Sequence, residues 1–416
     1  MTHRFDEVAD CAVVGGGPGG MMLAYLLARG GARVTLLESH GDFNRRFRGG
    51  SLAPAVLDFL HTLGLAERML ADLPHTTVST FGWQAGERLY TLADYRRASR
   101  RHPYYALIPQ ARFLPYLAER AAAYDGFVLR TRARACRLLE DGTGRVTGVA
   151  YARGDGDRTV GARLVVAADG RNSKLRALGG FTARELGASL DVLWHAVPKN
   201  ATDPATSGLR LHGVPGALLA VLDQDTHWQL GYMIPAGSFA RVRERGTAPI
   251  RTAFGDALPW LTGRLETLHD VNELTLLPVR ITTVDTWYRP GLLLIGDAAH
   301  VISPVGGNGI NLAIADAAQT ANLVLPHLLN PGQTATLDTA CRQVELLRRP
   351  LTDREQRFQA RAERGARARL ESGRTTPPLP VRLIAAVPGL ATRNGRRNAA
   401  LIRIPAPLDQ ILRHSP

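Results

Sequence analysis

Lysine is nearly absent from this chain of 416 residues. Only Lys174 and Lys199 occur, although lysine and arginine together number 51. The net charge of +14 is therefore an arginine charge. In a chain rich in alanine and glycine, that pattern reads as a base-composition bias of the coding sequence, which raises arginine everywhere. No compact basic-aromatic motif accompanies it, so no nucleic-acid partner is expected. The charge still makes a basic field that can attract dinucleotide phosphates or an acidic carrier protein. Its densest run lies between Arg393 and Arg403.

Cysteine is also scarce. Cys11, Cys136 and Cys341 are odd in number and far apart, which excludes a disulfide framework and a cysteine-based metal cluster. Buried thiols in a reducing cytosol are expected, with no metal site. The opening MTHRFDEVAD is polar and carries acids, unlike a signal peptide. No long apolar run with clean flanks occurs. The nearest, CAVVGGGPGGMMLAYLLA at 11–28, is broken by glycines and a proline, so it reads as strand, turn and helix and not as a membrane span. With 45% hydrophobic and 21% charged residues, the chain can bury large cores, and two are expected.

The pattern opens with a strand at about 10–14, a glycine turn, a helix at about 18–29 and a strand at about 33–38. This βαβ start predicts a parallel sheet with right-handed crossovers. A helix follows near 52–63, and short alternating strands run from 76 to 91. The first style returns with a helix at about 110–124 and strands at about 127–139, 145–151 and 158–168. Residues 185–282 differ, with strand-like LDVLWHAV, ALLAVLD and HWQLGYMI and short helices near 239–256. GLLLI at 291–295, GDAAH and a helix at about 308–328 resume the first style. The predicted fold is therefore α/β. A discontinuous Rossmann-type nucleotide domain comprises 1–75, 101–184 and 285–330. A mostly antiparallel substrate domain comprises 76–100 and 185–284, and 331–416 forms a helical tail.

Three segments carry chemistry. In Gly15-Gly16-Gly17-Pro18-Gly19-Gly20, Gly15 permits the tight turn, Gly17 lets the backbone approach a pyrophosphate, and Gly20 allows close helix–strand packing. The helix that follows presents its N-terminus to the phosphates. Glu38 ends the second strand, placed for adenosine ribose hydroxyls, and an acid there suits FAD or NAD over NADP. The second segment is Asp169-Gly170-Arg171-Asn172-Ser173-Lys174-Leu175-Arg176, directly after a buried strand. The third is Gly296-Asp297-Ala298-Ala299-His300, then Pro304, Gly306, Gly307, Asn308, Gly309, Ile310 and Asn311, with Asp316 beyond.

Together these segments resemble the flavoprotein aromatic hydroxylases typified by para-hydroxybenzoate hydroxylase, in order and spacing over roughly 1–330. FRG, PQxxFLxxL, DVLW, WQxGYxIP and GDAAHxxSPVGGxGIN are similar to actinobacterial members of uncertain substrate. The resemblance implies FAD as cofactor and NADH or NADPH as electron donor. It implies that Arg48, before Gly49, contacts the flavin or its phosphates, that Gln110 lies on the ribityl side, and that Asp297 binds a ribityl hydroxyl. Pro304 and 306–311 would line the isoalloxazine ring, and the Asp169 motif would serve both FAD and the nicotinamide donor. A flavin C4a-hydroperoxide would then transfer oxygen to an aromatic or polyene secondary metabolite, with no protein nucleophile.

The substrate region departs from relatives at His195-Ala196-Val197-Pro198-Lys199 and at Ala236-Gly237. Halogenation is disfavoured, because no lysine follows GxGxxG and no WxWxIP occurs. Trp194, His195, Trp228 and Tyr232 are candidates to line the substrate pocket; the alternative is sheet core. His195 is the candidate proton acceptor, while His300 reads as structural. Arg354 to Arg374 reads as a solvated helix face. An epoxidase, an oxidative cyclase, a reductase, or a pocket protein holding FAD as structure are alternatives on the same frame.

Overall fold

Strand Glu7–Val14 ends in the unbroken apolar run CAVV, a composition that suits burial on both faces. It pairs in parallel with Val34–Leu37 on one side and with Gly156–Ala167 on the other. Phe127–Arg130 and Leu292–Leu294 extend this parallel sheet at its two flanks. Strands Val146–Arg153 and Arg134–Glu140 add an antiparallel wing to it. The fold is described by a computed structural model covering residues 4–43, 50–154, 156–187, 189–204, 209–304, 306–330, 332 and 334–413.

Strand residues alternate between two cores. Cys11, Val13, Val34, Leu36, Leu164 and Val166 face helices Pro18–Arg29 and Gly309–Leu328. Ala12, Val14, Val165 and Ala167 face the antiparallel wing and Trp287. Helix Pro18–Arg29 starts on a proline, whose missing N–H costs nothing in the first turn. Residues Gly19 to Arg29 of it are all buried. Cys11 and Cys341 are buried free thiols, and Cys136 is half-buried.

The second sheet has seven strands, in the order Thr275–Leu277, Leu190–Pro198, His227–Pro235, Ala217–Asp223, Leu209–Val214, Thr80–Ala85 and Arg88–Asp94. Every pairing is antiparallel except that between Leu209–Val214 and Thr80–Ala85. Two segments expected in this domain lie outside the sheet. Thr76–Val78 pairs with Tyr105–Leu107, beside Ser51–Leu52. Ile281–Val284 pairs with Ala183–Gly187 and His300–Val301, stitching the two halves together.

Helix Thr334–Ser372 runs 39 residues and spans both halves. Its first turns pack Leu337, Ala340, Cys341 and Val344 into the nucleotide-side core. Its last turns lay Ala366 and Leu370 against the seven-stranded sheet. Arg354, Arg357, Arg361, Arg364 and Arg367 face solvent. Among the described residues no helix is long and apolar enough to cross a membrane.

Candidate active site

The parallel strands all end at one edge, the position where open α/β sheets bind ligands. Gly15 follows the first strand at φ +107°, and a Cβ there would lie 2.3 Å from Ala168 O. At Gly20 a Cβ would meet Gly15 O at 2.0 Å, so helix and strand touch backbone to backbone. Gly17 differs, because a Cβ there would meet nothing within 4 Å. The first bond of helix Pro18–Arg29 runs from Met21 N to Gly17 O, and no side chain caps its N-terminus. The N–H groups of Gly19 and Gly20 are therefore left over for an anion.

Glu38 is buried at the same edge. Its Oε2 accepts from Gly16 N at 2.8 Å, and its Oε1 accepts from His40 N at 2.9 Å with His40 Nδ1 at 2.7 Å. The acid thus shapes the glycine turn, and an ionised carboxylate keeps lone pairs for a further donor.

Asp169 accepts from Ser173 Oγ at 2.5 Å and from Lys174 N and Leu175 N at 2.7 and 3.1 Å. Its contacts are local and hold the motif's own turn. Arg176 ties that turn to the third motif, donating to Arg171 O at 2.9 Å and to Ala298 O at 3.1 Å. Beside it, the Asp297 carboxylate is partly exposed and has no partner among the described residues.

Asp316, 20 residues after Gly296, braces this loop from below. Its Oδ2 accepts from Gly296 N at 3.0 Å and sits 2.6 Å from His300 Nε2. His300 is buried against the Trp287 ring, with centroids 4.9 Å apart. It is a packed structural histidine.

The glycine loop before helix Gly309–Leu328 turns at Gly306 and Gly307, with φ of +91° and +66°. Pro304 and Gly306 are exposed, whereas Asn308, Ile310 and Asn311 are buried. Asn311 donates to Ser51 O and Gly307 O and accepts from Ala53 N. Asn308 donates to Glu355 Oε1 at 3.0 Å. Both amides hold the loop, so its free donors are main-chain N–H groups. The first bond of this helix is Leu312 N to Asn308 O, which leaves residues 309–311 facing outward. This second N-terminus lies near the first, since a Cβ at Gly19 would be 3.1 Å from Ala313 O. Gln110 is buried at the start of helix Gln110–Ala121, two residues after Ile108 pairs with Gly50. Arg48 and Gly49 lie outside the described residues.

Strand alternation separates the four aromatic and histidine candidates. Leu190, Val192 and Trp194 share one sheet face with Trp83, Leu218, Ala220 and Met233. Gly231 makes room for the Trp194 ring, since a Cβ there would lie 2.7 Å from it. Leu193, Val197, Trp228 and Leu230 share the other face, sealed by helix Ala248–Ala257. Trp228 packs at a tilt against Trp260 and donates to Asp203 Oδ2 at 2.7 Å, and Tyr232 packs against Phe254. His195 pairs with Leu230 and follows that same face. Burial lowers its pKa, opposed by Glu273. A single pocket is not lined by all four. Trp194 lies on the face that Ala366, Leu370 and Val381 pack against, whereas Trp228 and Tyr232 belong to the helix-covered side and the half-buried His195 follows it.

Side chains that the sequence reading missed link the glycine loop to the start of the Trp194 strand. Thr352, Glu355, Gln356, Gln359 and Glu363 are all buried on helix Thr334–Ser372, opposite its arginines. Gln359 Oε1 accepts from Ser303 N, and Glu363 Oε2 accepts from Ser189 N at the start of the Trp194 strand. Burial raises the pKa of both Glu355 and Glu363. The signal was available as helical spacing of polar residues on the face away from the arginines. Two surface clefts, of about 300 and about 640 Å³, include none of the motif residues.

Two uncapped helix N-termini, an open Gly17 and an Asp297 with no partner among the described residues form a donor and acceptor set that fits FAD, which would place phosphates at Gly17–Gly20 and the flavin end at 306–311. Fold and motifs together define a two-domain FAD-dependent oxidoreductase. The chain belongs to the FAD binding domain family, whose profile matches residues 8–354. It is 36% identical over 362 residues to 6-methylpretetramide 4-monooxygenase of Streptomyces rimosus, covering 85% of this chain and 84% of that protein. It is 27% identical to ubiquinone hydroxylase UbiL of Rhodospirillum rubrum, over 84% of this chain and 80% of that one. In fold it matches the crystal structure of PqsL, a probable FAD-dependent monooxygenase from Pseudomonas aeruginosa. The TM-score is 0.73 at 20% identity, covering 88% of this chain and 99% of that chain. The chain is thus a flavoprotein monooxygenase of the aromatic-hydroxylase type.

Proposed function

We propose that this monooxygenase hydroxylates a flat, oxygenated polycyclic aromatic of secondary metabolism, with NADH or NADPH as reductant. The observation that carries the reading is the apolar sheet face bearing Trp83 and Trp194. The relative named for 6-methylpretetramide supports it, since identity extends over most of both chains.

Bound FAD supplies the redox chemistry, accepting electrons from the nicotinamide and activating oxygen. The chain's own residues bind, orient and exclude water. Main-chain N–H groups of 309–311, at the positive end of a 20-residue helix, would hold the flavin end of the cofactor and stabilise negative charge that develops there. Asp297 would accept from a ribityl hydroxyl, and the Trp-bearing face would keep the reacting ring dry.

The test is turnover of the purified holoenzyme under oxygen-18 gas with each nicotinamide. One labelled oxygen atom in the product supports hydroxylation; an oxidised product with no label overturns it in favour of an oxidative cyclase. A second reading concerns delivery of the substrate. Exposed Arg393, Arg396 and Arg397 favour docking of an acidic carrier protein that presents it. Carrier affinity that does not weaken from low to high salt rejects electrostatic docking.

A further inference from the structure

Beyond helix Leu390–Leu401 the chain loses regular structure from Arg403 to Leu408 and then makes a last turn, Asp409–Arg413. Pro405 and Pro407 hold the connecting run extended and remove two backbone donors. Core side chains stand where a neighbouring strand would. Asn322 donates to Ala406 O at 2.7 Å and accepts from Leu408 N at 3.3 Å. Gln410 donates to Gly30 O at 3.0 Å, and the buried Arg29 donates to Ile411 O at 2.7 Å. Ile402 and Ile411 are buried in the nucleotide-side core toward the two ends of the run.

Two hydrogen-bonded routes lead from this tail to the loops of the cofactor site. In the first, Arg348 donates to Arg403 O at 2.9 Å and to Asp316, whose other oxygen holds Gly296 N. In the second, Asn398 is bonded to the Tyr95 hydroxyl, and that hydroxyl to Tyr105. The two tyrosine rings meet edge to face, with centroids 4.7 Å apart. Tyr105–Leu107 pairs with Ser51–Leu52, and Ser51 Oγ donates to Gly307 O at 2.9 Å. One route therefore ends beside Asp297 and the other just before helix Gly309–Leu328.

We propose that residues 402–413 are a cofactor-linked strap, whose docking and the binding of FAD stabilise each other, with Arg348 and Tyr95 as the positioning residues that carry the coupling. This rests on FAD occupying the loops at Gly296 and Gly307. With those loops restrained by FAD, Asp316 and Ser51 are held in place, and the tail docks against partners already ordered. Linkage makes the effect reciprocal. Loosening the strap weakens FAD, by at most the factor through which FAD tightens the strap.

The experiment follows amide hydrogen exchange of peptides from 402–413 in apoprotein and in FAD-saturated protein. Peptides from the exposed helix Phe239–Arg245, which neither route touches, are the control. FAD is expected to slow exchange of the strap by about ten-fold and to leave the control unchanged. Tyr95→Phe keeps the ring but cuts one route, and is expected to reduce that ten-fold effect to about three-fold. Asn322 lies thirteen residues after Gly309, about 20 Å along the helix, so it touches the strap and not the cofactor end. Asn322→Ala is expected to speed exchange of the strap and to weaken FAD by about five-fold in equilibrium dialysis. Should that variant fail to fold, Gln410→Ala carries the same comparison. Strap exchange that FAD leaves unchanged, or slows no more than the control, overturns the coupling and leaves the FAD site standing. A loosened strap with unaltered FAD affinity also overturns it. Wild-type protein that takes up no FAD overturns the cofactor reading together with the strap.

Discussion

Arg348 Nε lies 2.7 Å from Asp316 Oδ1, with the two side chains 1% and 0% exposed. One carboxylate thereby joins three parts of the chain. Its other oxygen holds Gly296 N and His300, while Arg348 reaches on to Arg403 O at 2.9 Å. The loop that carries Asp297 is thus tensioned from the long helix and from the tail beyond it. Removing one partner strands the other charge in a dry site, a cost of about 3–5 kcal/mol. Arg348→Met is expected to destabilise the fold by that much, seen as a lower thermal midpoint, and to release FAD more readily. Both are read by following flavin fluorescence during a thermal ramp, and an unchanged midpoint refutes the brace.

The same carboxylate gives a signed pH dependence. Burial alone would raise the Asp316 pKa, but His300 and Arg348 outweigh it and hold the group down at about 2. A depressed acid stabilises the fold above its ordinary value of 3.8, and that contribution is lost as pH falls toward 2. Unfolding by denaturant between about pH 4 and pH 2 is expected to fall more steeply in wild type than in Asp316→Asn. Parallel curves would show that the pair does not titrate with folding.

The two glycines of the first turn are expected to fail differently. At Gly20 an added Cβ would sit 2.0 Å from Gly15 O, so Gly20→Ala must push helix from strand and destabilise the apoprotein by several kcal/mol. At Gly17 the space is open, and alanine at a helix N-cap costs only about 1 kcal/mol or less relative to glycine. Gly17→Ala is expected to keep the apoprotein folded and to weaken FAD by about ten-fold or more. Equilibrium dialysis beside circular dichroism separates the two effects. A Gly17 variant that binds FAD normally removes that position from the pyrophosphate site.

His195 lies half-buried on the sheet face that helix Ala248–Ala257 covers, opposite Trp194. His195→Gln is expected to leave the pH profile of turnover unchanged, with a rate within about two-fold of wild type. Trp228→Ala, on the same face, removes a stacked and hydrogen-bonded core ring and is expected to cost about 3–5 kcal/mol of stability with little change in KM. A shifted pH optimum in the histidine variant would return it to the reaction.

The raised acids of the long helix predict the opposite pH trend from Asp316. Burial disfavours the charged form of Glu355, so its contribution to stability declines as pH rises above the ordinary value of 4.5. Glu355→Gln cannot ionise and keeps acceptor and donor atoms for Asn308 and Gln359. It is expected to flatten the loss of apoprotein stability between about pH 5 and pH 8. An equally steep loss in the variant places the titration elsewhere.

Much of this architecture is written locally in the chain. The run CAVV, the glycine turn and the helix from Pro18 needed only near neighbours, because strand burial, left-handed backbone at Gly15 and a proline start are properties of a few consecutive residues. The same holds for the order of the three motifs, and for the solvated arginines of the long helix. Tertiary structure decided what depends on contacts distant in sequence. Alternation along Leu190–Pro198 separates Trp194 from His195, but only the packing of Ala248–Ala257 on one face determines which side of the sheet the helices cover. Asp316 reads as an ordinary helical acid until Arg348 and His300 meet it. Glu355, Gln359 and Glu363 look like solvent-facing residues of a charged helix, and become a buried polar ridge only because the glycine loop and the Trp194 strand close over them. Helical period arranges side chains into faces, but the desolvation that turns a face into a site comes from whatever the rest of the chain lays against it.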